Sequence, residues 1–404
     1  MVTMSLHSRQ EYLQKVKPRY LKAVKEEKSK MLDEYCANTK LDRKYVIRCL
    51  STGVSLVKKI AKIRQPRSCT YTNHEVFYLK KIWEILDYPC GARLKSMLGE
   101  MMLVLKRCKE LIVPDEAAKK LLKIAASTID EKLKKYKATI RRRFNGTTKP
   151  GSLLKNQIPI RTSSWEEKRP GYCELDTVAH CGDSAEGEFV NSLDLTDILT
   201  GWTEGAATMG KAEERIKNAL DEAKNRLPFA LKAIDPDNGS EFINWQLFHY
   251  CEKESIQFTR GRPYHKNDNA HIEQKNWTHV RKVFGYERRS TQEECDLMND
   301  LYQNELRLYK NFFQPTIKVI EKKRVGKNNE KMKKIYDIPK TPYQRVLDCK
   351  EIPEEKKLEL RKIYETLNPA ELRRQIIKKL QRLRQVTKER KEKTNSQLFL
   401  KVER

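Results

Sequence analysis

Three acidic residues stand where a carboxylate could hold a cation. Asp176 lies in the middle of a predicted strand, residues 172–179, where an ionised carboxylate is costly unless it meets a cation. Asp237 follows a short apolar strand and precedes Asn-Gly, which permits a sharp turn and leaves the carboxylate at the edge of the sheet. Glu273 lies on a predicted helix after a polar loop. Taken singly, the three fit ordinary roles as a strand-edge aspartate, a turn residue and a solvated charge.

Their joint arrangement resembles the acidic triad, called DDE, of the integrase and transposase superfamily. In that family the first Asp lies in the first strand, the second begins Asp-Asn-Gly after the fourth strand, and the Glu lies on a later helix. Here 35 residues separate Asp237 from Glu273, which is the separation found in retroviral integrases. The resemblance is strongest over residues 171–290. Four segments also look like parts of bacterial insertion-sequence transposases: 149–154, 238–244, 273–277 and 341–345.

This resemblance implies a metal-dependent enzyme that cuts and joins DNA. Two Mg²⁺ ions about 3.5–4 Å apart can activate the attacking oxygen and stabilise the leaving 3′ oxygen, and Mn²⁺ can replace Mg²⁺. Mg²⁺ prefers oxygen ligands, which carboxylates supply. The resemblance implies that Asp176 would bridge the two ions, with Asp237 on one and Glu273 on the other. Water would first cut a strand at the element's end. The freed 3′ hydroxyl would then attack target DNA by transesterification, without a covalent protein–DNA intermediate.

Other acidic residues compete for these roles. Asp235 would share a strand face with Asp237 but lacks the Asn-Gly that follows the family's ligand, and Glu174 could share the face of Asp176. We expect turn or loop positions for four further aspartates, which have no matching context: Asp183, Asp194, Asp197 and Asp268.

Several polar and basic residues surround Glu273. Asn269, Asn276 and Trp277 share or border its helix face. The two asparagines could bond DNA or metal-bound water. We expect Trp277 to be a core anchor, with stacking on a base as the alternative. Four cations could hold DNA phosphates or could equally be solvated charges: Lys266, Lys275, Arg281 and Lys282.

The bulk composition favours a polyanionic partner. The net charge is +28 and the pI about 9.6, and each cation that neutralises a phosphate releases a condensed counterion. A solvated surface or a ribosome-associated protein is the plainer interpretation.

The ten cysteines include no C-x-x-C pair, which argues against a zinc ribbon or a disulfide scaffold. The sequence contains no P-loop that would suggest ATP use. No signal-peptide or membrane-spanning pattern occurs, so we expect a soluble, nucleoid-associated protein of a bacterial cytoplasm.

The regions before the triad are predicted to bind DNA. Residues 1–66 predict a helix-turn-helix domain, although any small helical bundle gives a similar pattern. Residues 67–143 predict a second helical DNA-binding domain, and residues 144–170 a basic linker that either follows DNA or only spaces the domains. The predicted DNA contacts are Arg43, Lys44 and Arg48 in the first region, Arg141, Arg142 and Arg143 in the second, and Lys149, Lys155 and Arg161 in the linker.

Residues 171–315 predict the catalytic core. Strands at 172–179, 188–195, 202–209, 229–234 and 256–259 alternate with helices at 211–226, 242–254 and 269–284, which indicates a mixed sheet flanked by helices. This order resembles a ribonuclease-H-like core. Residues 316–350 form a small basic region that could be a β unit, and residues 351–404 a charged helical tail. The predicted fold is therefore multidomain: a helical N-terminal region, an α/β core and a basic C-terminal region.

The resemblance implies double-stranded DNA as the partner, both transposon ends and target. Strand transfer brings two ends together and each chain has one triad, so we expect a homo-oligomer on DNA and no membrane partner. The apolar stripe of the tail either joins subunits or packs on the chain's own core. A non-catalytic DNA-binding regulator, such as a domesticated transposase, and a ribonuclease-H-type nuclease that hydrolyses without joining are the alternatives.

Overall fold

The structure, a computed structural model, describes residues 4–52, 70–137, 169–236, 241–259, 275–325 and 331–402. The chain forms two compact units, Met1–Thr70 and Tyr71–Arg404. None of the helices in these described ranges has both the length and the apolar character needed to cross a bilayer.

The first unit contains three helices: α1 (Leu6–Lys22), α2 (Lys25–Thr39) and α3 (Arg43–Thr52). Their shared core includes Leu13, Tyr35 and Leu50. Helix α2 ends at Lys40, whose left-handed backbone (φ 58°) turns the chain. The Asp42 carboxylate then accepts a hydrogen bond from the Tyr45 N–H at 3.2 Å and caps α3. The predicted helix, short break and basic helix are therefore present.

The second unit is built on a five-stranded sheet. Its strands are β1 (Tyr172–Ala179), β2 (Val190–Asp197), β3 (Thr203–Met209), β4 (Ala233–Pro236) and β5 (Gln257–Phe258), arranged in the order β3-β2-β1-β4-β5. The first three are antiparallel, whereas β4 runs parallel to β1 and to β5. The expected mixed sheet is confirmed, and β1, which carries Asp176, is its central strand.

Helices cover both faces of this sheet. On one face, Leu175 and Leu195 pack against α8 (Glu213–Asn225), and α9 (Trp245–Lys253) joins the same core. On the other face, Val178 and Val190 pack against a helix that runs from π-helical Asn276–Arg281 into Lys282–Phe284, called α10 here, and against α11 (Gln292–Gln303). Side chains alternate between faces along a strand, so Asp176 lies on the α10 side.

One glycine allows α11 to approach the sheet closely. A Cβ on Gly205 of β3 would lie 2.4 Å from the ring of Tyr302 on α11. The ring takes that space, and its hydroxyl donates to the Ser192 hydroxyl of β2 at 2.8 Å. This contact fixes α11, and the helices packed on it, against the face that carries Asp176.

The helices predicted as a second DNA-binding domain share a core with the rest of this unit. These are α4 (Asn73–Ile85), α5 (Gly91–Arg107), α6 (Asp115–Lys123) and α7 (Ala126–Lys137). Trp83 and Leu98 from α4 and α5 lie in one hydrophobic cluster with Trp202, Phe312 and Val346. Described residues from 71 onward thus belong to one compact unit.

The C-terminal part is a β-hairpin followed by helices. After α12 (Glu305–Phe313) come β6 (Val319–Val325) and β7 (Lys331–Tyr336), which pair antiparallel, then α13 (Pro342–Asp348), α14 (Glu354–Thr366) and α15 (Pro369–Val402). Ile376 and Leu383 of α15 are buried with Met298 and Leu306 of α11 and α12. Ile376 and Leu383 of the tail's apolar stripe therefore pack on the chain's own core, whereas Ile377 beside them is 42% exposed.

Candidate active site

Asp176 lies in the middle of the central strand, β1, and is half-buried. Its Oδ1 accepts a hydrogen bond from the Thr177 N–H at 2.7 Å. Its Oδ2 accepts one from the Asn276 side-chain amide at 2.6 Å. The two donors orient the carboxylate, and the second ties α10 to the sheet at this residue.

Helix α10 is held firmly where it meets Asp176. Its first part, Asn276–Arg281, is π-helical, a rare geometry that is frequent at functional sites. Val280 and Phe284 are buried on the sheet, and the Lys275 ammonium donates to the Gly201 carbonyl at 2.7 Å. The predicted ligand Glu273 stands two residues before Lys275 and lies outside the described residues.

The segment containing Asp237 is flanked by two contacts to β1. Before it, Pro236 of β4 pairs with Leu175. After it, the Glu241 Oε1 accepts a hydrogen bond from the Thr177 hydroxyl at 2.7 Å, and Glu241 also pairs with Lys211. Residues 237–240, with Asp237 among them, lie outside the described part of the chain. The contacts on either side of this segment are therefore made by the two neighbours of Asp176.

Glu241 is a carboxylate that the sequence analysis missed. Burial alone would raise its pKa, but the hydrogen bonds from Lys211 and Thr177 and the Lys211 charge outweigh burial, so the pKa is lowered and the group stays ionised. The residue comes two positions after Asn238-Gly239 in the sequence. Its contacts with Thr177 and Lys211, which depend on the folded chain, distinguish it from a solvated glutamate.

Asp194 and Asp197 were expected in turns, and this is wrong. Both are buried in β2, and Asp194 is the direct cross-strand partner of Asp176. Asp197 accepts hydrogen bonds from the Gly171 N–H at 2.8 Å and the Thr200 N–H at 2.7 Å, so its carboxylate organises the ends of β1 and β2. Burial raises the pKa of Asp194, and the positive charge of Lys275 offsets only part of that rise.

Lys275 does not fit the prediction of a phosphate contact. Its side chain is buried, and burial lowers its pKa, opposed by the negative charge of Asp194. His279, one helical turn further along, is also buried, and burial lowers its pKa as well. Lys275 thus lies inside the protein. Its ammonium donates to the Gly201 carbonyl rather than facing solvent, and this bond anchors the start of α10.

The competing acids Glu174 and Asp235 pair in register within the sheet. Both are buried, and the Asp235 Oδ1 accepts a hydrogen bond from the Thr259 hydroxyl at 2.7 Å. Glu174 precedes Asp176 by two residues on β1, and Asp235 is the last residue but one of β4. Asp235 therefore has a structural partner in Thr259, the residue after β5.

The predicted DNA contacts fall into three groups. On α3, Lys44 and Arg48 are exposed, whereas Arg43 pairs with Asp33 of α2. On α10, Asn276 bonds Asp176, and Arg281 donates to the Ala179 carbonyl at 2.9 Å. The remaining predicted contacts lie outside the described residues: Arg141, Arg142, Arg143, Lys149, Lys155, Arg161, Lys266 and Asn269.

Trp277 is not the core anchor that was expected. Its side chain is 36% exposed, because it projects from α10 beside Asn276 into a pocket rather than into the sheet's core. Among the residues that the structure describes, no group of three or more His, Cys, Asp or Glu side chains could hold a metal ion. Two of the three predicted ligands, Asp237 and Glu273, are outside that part of the chain.

Comparison with known proteins identifies a family. The chain is 34% identical over 343 residues to the uncharacterized protein y4rM of Sinorhizobium fredii (strain NBRC 101917 / NGR234), a match that covers 85% of this chain and 96% of that protein. The chain belongs to the same family as y4rM. No family model matches it.

Among solved structures, the chain is similar to the catalytic core domain of BIV integrase. The identity is 15%, and the match covers 43% of this chain and 93% of that one with a TM-score of 0.28. A likeness of this size does not support a functional assignment.

Proposed function

We propose that this protein is a DNA strand-cutting and strand-joining enzyme whose active site is formed by Asp176, Asp237 and Glu273. One observation carries the proposal: the described residues on either side of Asp237, and Asn276, which follows Glu273 by three positions, all contact β1 at Asp176 or its immediate neighbours. Asn276 bonds Asp176 itself, Pro236 pairs with Leu175, and Glu241 bonds Thr177.

The strand arrangement supports the placement of Asp237. Strand β4 lies parallel to β1 with Pro236 beside Leu175, and the next residues along the sequence are Asp237 and Asp176. If the parallel pairing continued for one residue, both carboxylates would point to the same face, because paired residues in a sheet share a face. The order β3-β2-β1-β4-β5 also supports the ribonuclease-H-like core that the sequence resembles.

Helix α10 supports the placement of Glu273. Glu273 precedes Asn276 by three residues, and residues three apart on a helix lie on one face. If the helix extends back to Glu273, that carboxylate lies on the side of α10 that contacts Asp176. Buried Lys275 and Val280 fix the helix against the sheet, which would hold the glutamate in place.

The donor set fits a hard divalent cation. All three side chains offer carboxylate oxygens, which Mg²⁺ and Mn²⁺ accept. When bound, such ions neutralise charge on the attacking and leaving oxygens of a phosphodiester. The chain's own residues would do the positioning: the Thr177 N–H and the Asn276 amide orient the Asp176 carboxylate, and the ion pair with Lys211 fixes Glu241, four positions after Asp237 in the sequence.

The N-terminal unit supports DNA binding by the chain. Helix α3 presents Lys44, Ile47, Arg48 and Ser51 to solvent, at the spacing of one helix face. The three-residue turn between α2 and α3 matches the helix-turn-helix layout, in which the second helix reads the major groove. The net charge of +28 suits a partner with many phosphates.

Joining two DNA ends needs two triads, so the active species is a homo-oligomer on paired transposon ends. Ile376 and Leu383 of α15 are buried in the chain's own core, so these two residues do not supply the contact between subunits. Light scattering with and without element-end DNA tests the assembly. A joining-competent complex with one chain per pair of ends would contradict it.

The function is tested with labelled DNA that carries the ends of the element encoding this protein. Incubation with Mg²⁺ is expected to give a nicked product and then a product joined to target DNA, and EDTA should stop both. Nicking without joining would indicate a hydrolytic nuclease. Binding without nicking would indicate a DNA-binding regulator. Either result overturns the proposal.

A further inference from the structure

A pocket of about 520 Å³ opens beside α10. Its lining comes from α10, α12, α15 and the turn between α4 and α5, all within the second unit. Pockets that take small ligands have volumes of about 300–1,000 Å³. The cavity is therefore large enough for a ligand of nucleotide size.

One part of the lining is aromatic and aliphatic. Trp277, the residue after Asn276, is 36% exposed, and it lines the pocket together with Ile377 of α15, which is 42% exposed. Leu380 and Val283 extend the apolar surface, and Tyr88 adds a second partly exposed ring. Large apolar side chains left this open are costly in water, and a flat aromatic ligand would cover them.

Another part of the lining is cationic. Lys282 and Arg373 both bond the Asp87 carboxylate, at 2.5 Å and 2.7 Å, and Lys310 also lines the cavity. Arg384 is exposed at the pocket and makes no ion pair with the residues that the structure describes. With four cations and a single carboxylate, the lining carries a net positive charge that an anionic group would balance.

The turn that contains Asp87 has a strained backbone. Asp87 and Tyr88 both have left-handed backbones, with φ of 60° and 64°, a conformation that costs a non-glycine residue free energy. The ring of Trp83 packs edge-on against Tyr88, and its Nε1 donates to the Pro89 carbonyl at 2.9 Å, which holds the turn. Such strain persists where the surrounding structure imposes it, and it is frequent at ligand sites.

We infer that this pocket binds one nucleotide withdrawn from the base stack of a DNA strand, with the base against Trp277 and the phosphate toward Arg384. The inference rests on the proposed function for the presence of DNA. A nucleotide would match both parts of the lining. The aromatic and aliphatic wall suits a nucleobase, and the cationic side suits the phosphate. Trp277 follows the residue that bonds Asp176, so the extracted nucleotide would lie beside the cutting site.

Calorimetric titration of the full chain with dAMP in metal-free buffer tests the pocket. We expect dAMP to bind more tightly than either deoxyadenosine or inorganic phosphate. Trp277→Ala should weaken dAMP binding about 5- to 150-fold, the range for loss of one stacked base, and Ile377→Asp should weaken it as well. Trp245→Ala changes an exposed tryptophan on α9, outside the pocket, and serves as the matched control.

Three results would overturn the inference. They are no dAMP binding, phosphate binding as tight as that of dAMP, and equal losses in Trp277→Ala and Trp245→Ala. If Ile377→Asp instead breaks up an oligomer and leaves dAMP binding intact, the pocket holds another copy of the chain, which also overturns it. Because the titration needs neither Mg²⁺ nor catalysis, a failure of the triad would not alter it, and the two proposals fail separately.

Discussion

The side-chain amide of Asn276 donates to the Asp176 Oδ2 at 2.6 Å. This hydrogen bond joins the central strand to the helix that follows Glu273, and it links two residues that are 100 positions apart in sequence. Oriented carboxylates hold metal ions better than mobile ones, because partners in the outer shell fix the ligand's direction. Asn276 therefore serves as a positioning residue for Asp176.

Replacing Asn276 should weaken catalysis without unfolding the protein. Asn276→Ala removes the donor, and we expect DNA cutting to fall about 10- to 100-fold, the usual effect of losing an outer-shell partner. The loss should be recovered in part at high Mg²⁺ concentration, since the defect lies in how Asp176 is held. Cutting rates across a Mg²⁺ titration measure this. The matched control is Asn304→Ala, at the junction of α11 and α12, and equal rates for Asn276→Ala and the unsubstituted protein would refute the role.

The exposed face of α3 should contribute phosphate contacts. Replacing Lys44 and Arg48 with Ala in the full chain should weaken binding to element-end DNA. The slope of log K against log salt should fall by about 0.9 for each phosphate that is no longer neutralised. Lys30→Ala removes an exposed cation from α2 and should leave the slope unchanged. Unaltered affinity and slope in the Lys44→Ala, Arg48→Ala protein would show that α3 does not contact DNA.

The capping box of α4 predicts a specific pH dependence of stability. Glu75 bonds Lys120 at 2.8 Å and the Thr72 N–H at 2.7 Å, and these contacts lower its pKa to about 2. Because the pKa is lower in the folded state than in the unfolded state, the ionised group stabilises the fold above its unfolded pKa. That stability is lost as the pH falls from about 4.5 towards 2.

Glu75→Gln should therefore cost about 1 kcal/mol at neutral pH, a typical value for a helix cap, and progressively less at acidic pH, below the unfolded pKa. Thermal melts of the variant and the parent protein at about pH 7 and about pH 3 measure the difference. Glu116→Gln, an exposed change on α6, is the control and should behave as the parent does. A destabilisation of equal size at both pH values would show that the Glu75 charge is not involved.

Strand β1 and the cap of α3 could be predicted from the sequence, because each depends on residues that are close together in the chain. Strand β1 lies at the predicted residues 172–179, where alternation of apolar and polar side chains is clear. The helix cap at Asp42 needs only a short-range signal. By contrast, β4 begins at Ala233, later than predicted, and includes Asp235 and Pro236, since its bounds depend on pairing with β1.

The buried polar residues could not be predicted. Asp194 and Asp197 look like turn residues in the sequence, yet they lie in β2, where Asp197 is satisfied by Gly171 and Thr200. Lys275 looks like a surface cation and is bonded to the Gly201 carbonyl inside the fold. The partners become neighbours only in the folded sheet, and tertiary contacts override what residue type suggests.

The central claim, that Asp176, Asp237 and Glu273 form one active site, is tested most directly by neutral substitutions of similar shape. Cutting and joining of labelled element-end DNA would be measured for Asp176→Asn, Asp237→Asn and Glu273→Gln, beside Asp183→Asn, which changes an exposed aspartate between β1 and β2. We predict that each of the three abolishes cutting and joining while DNA binding persists, because each removes a charge that a cation needs, and that Asp183→Asn is fully active. Near-normal joining by any one of the three variants would contradict the claim.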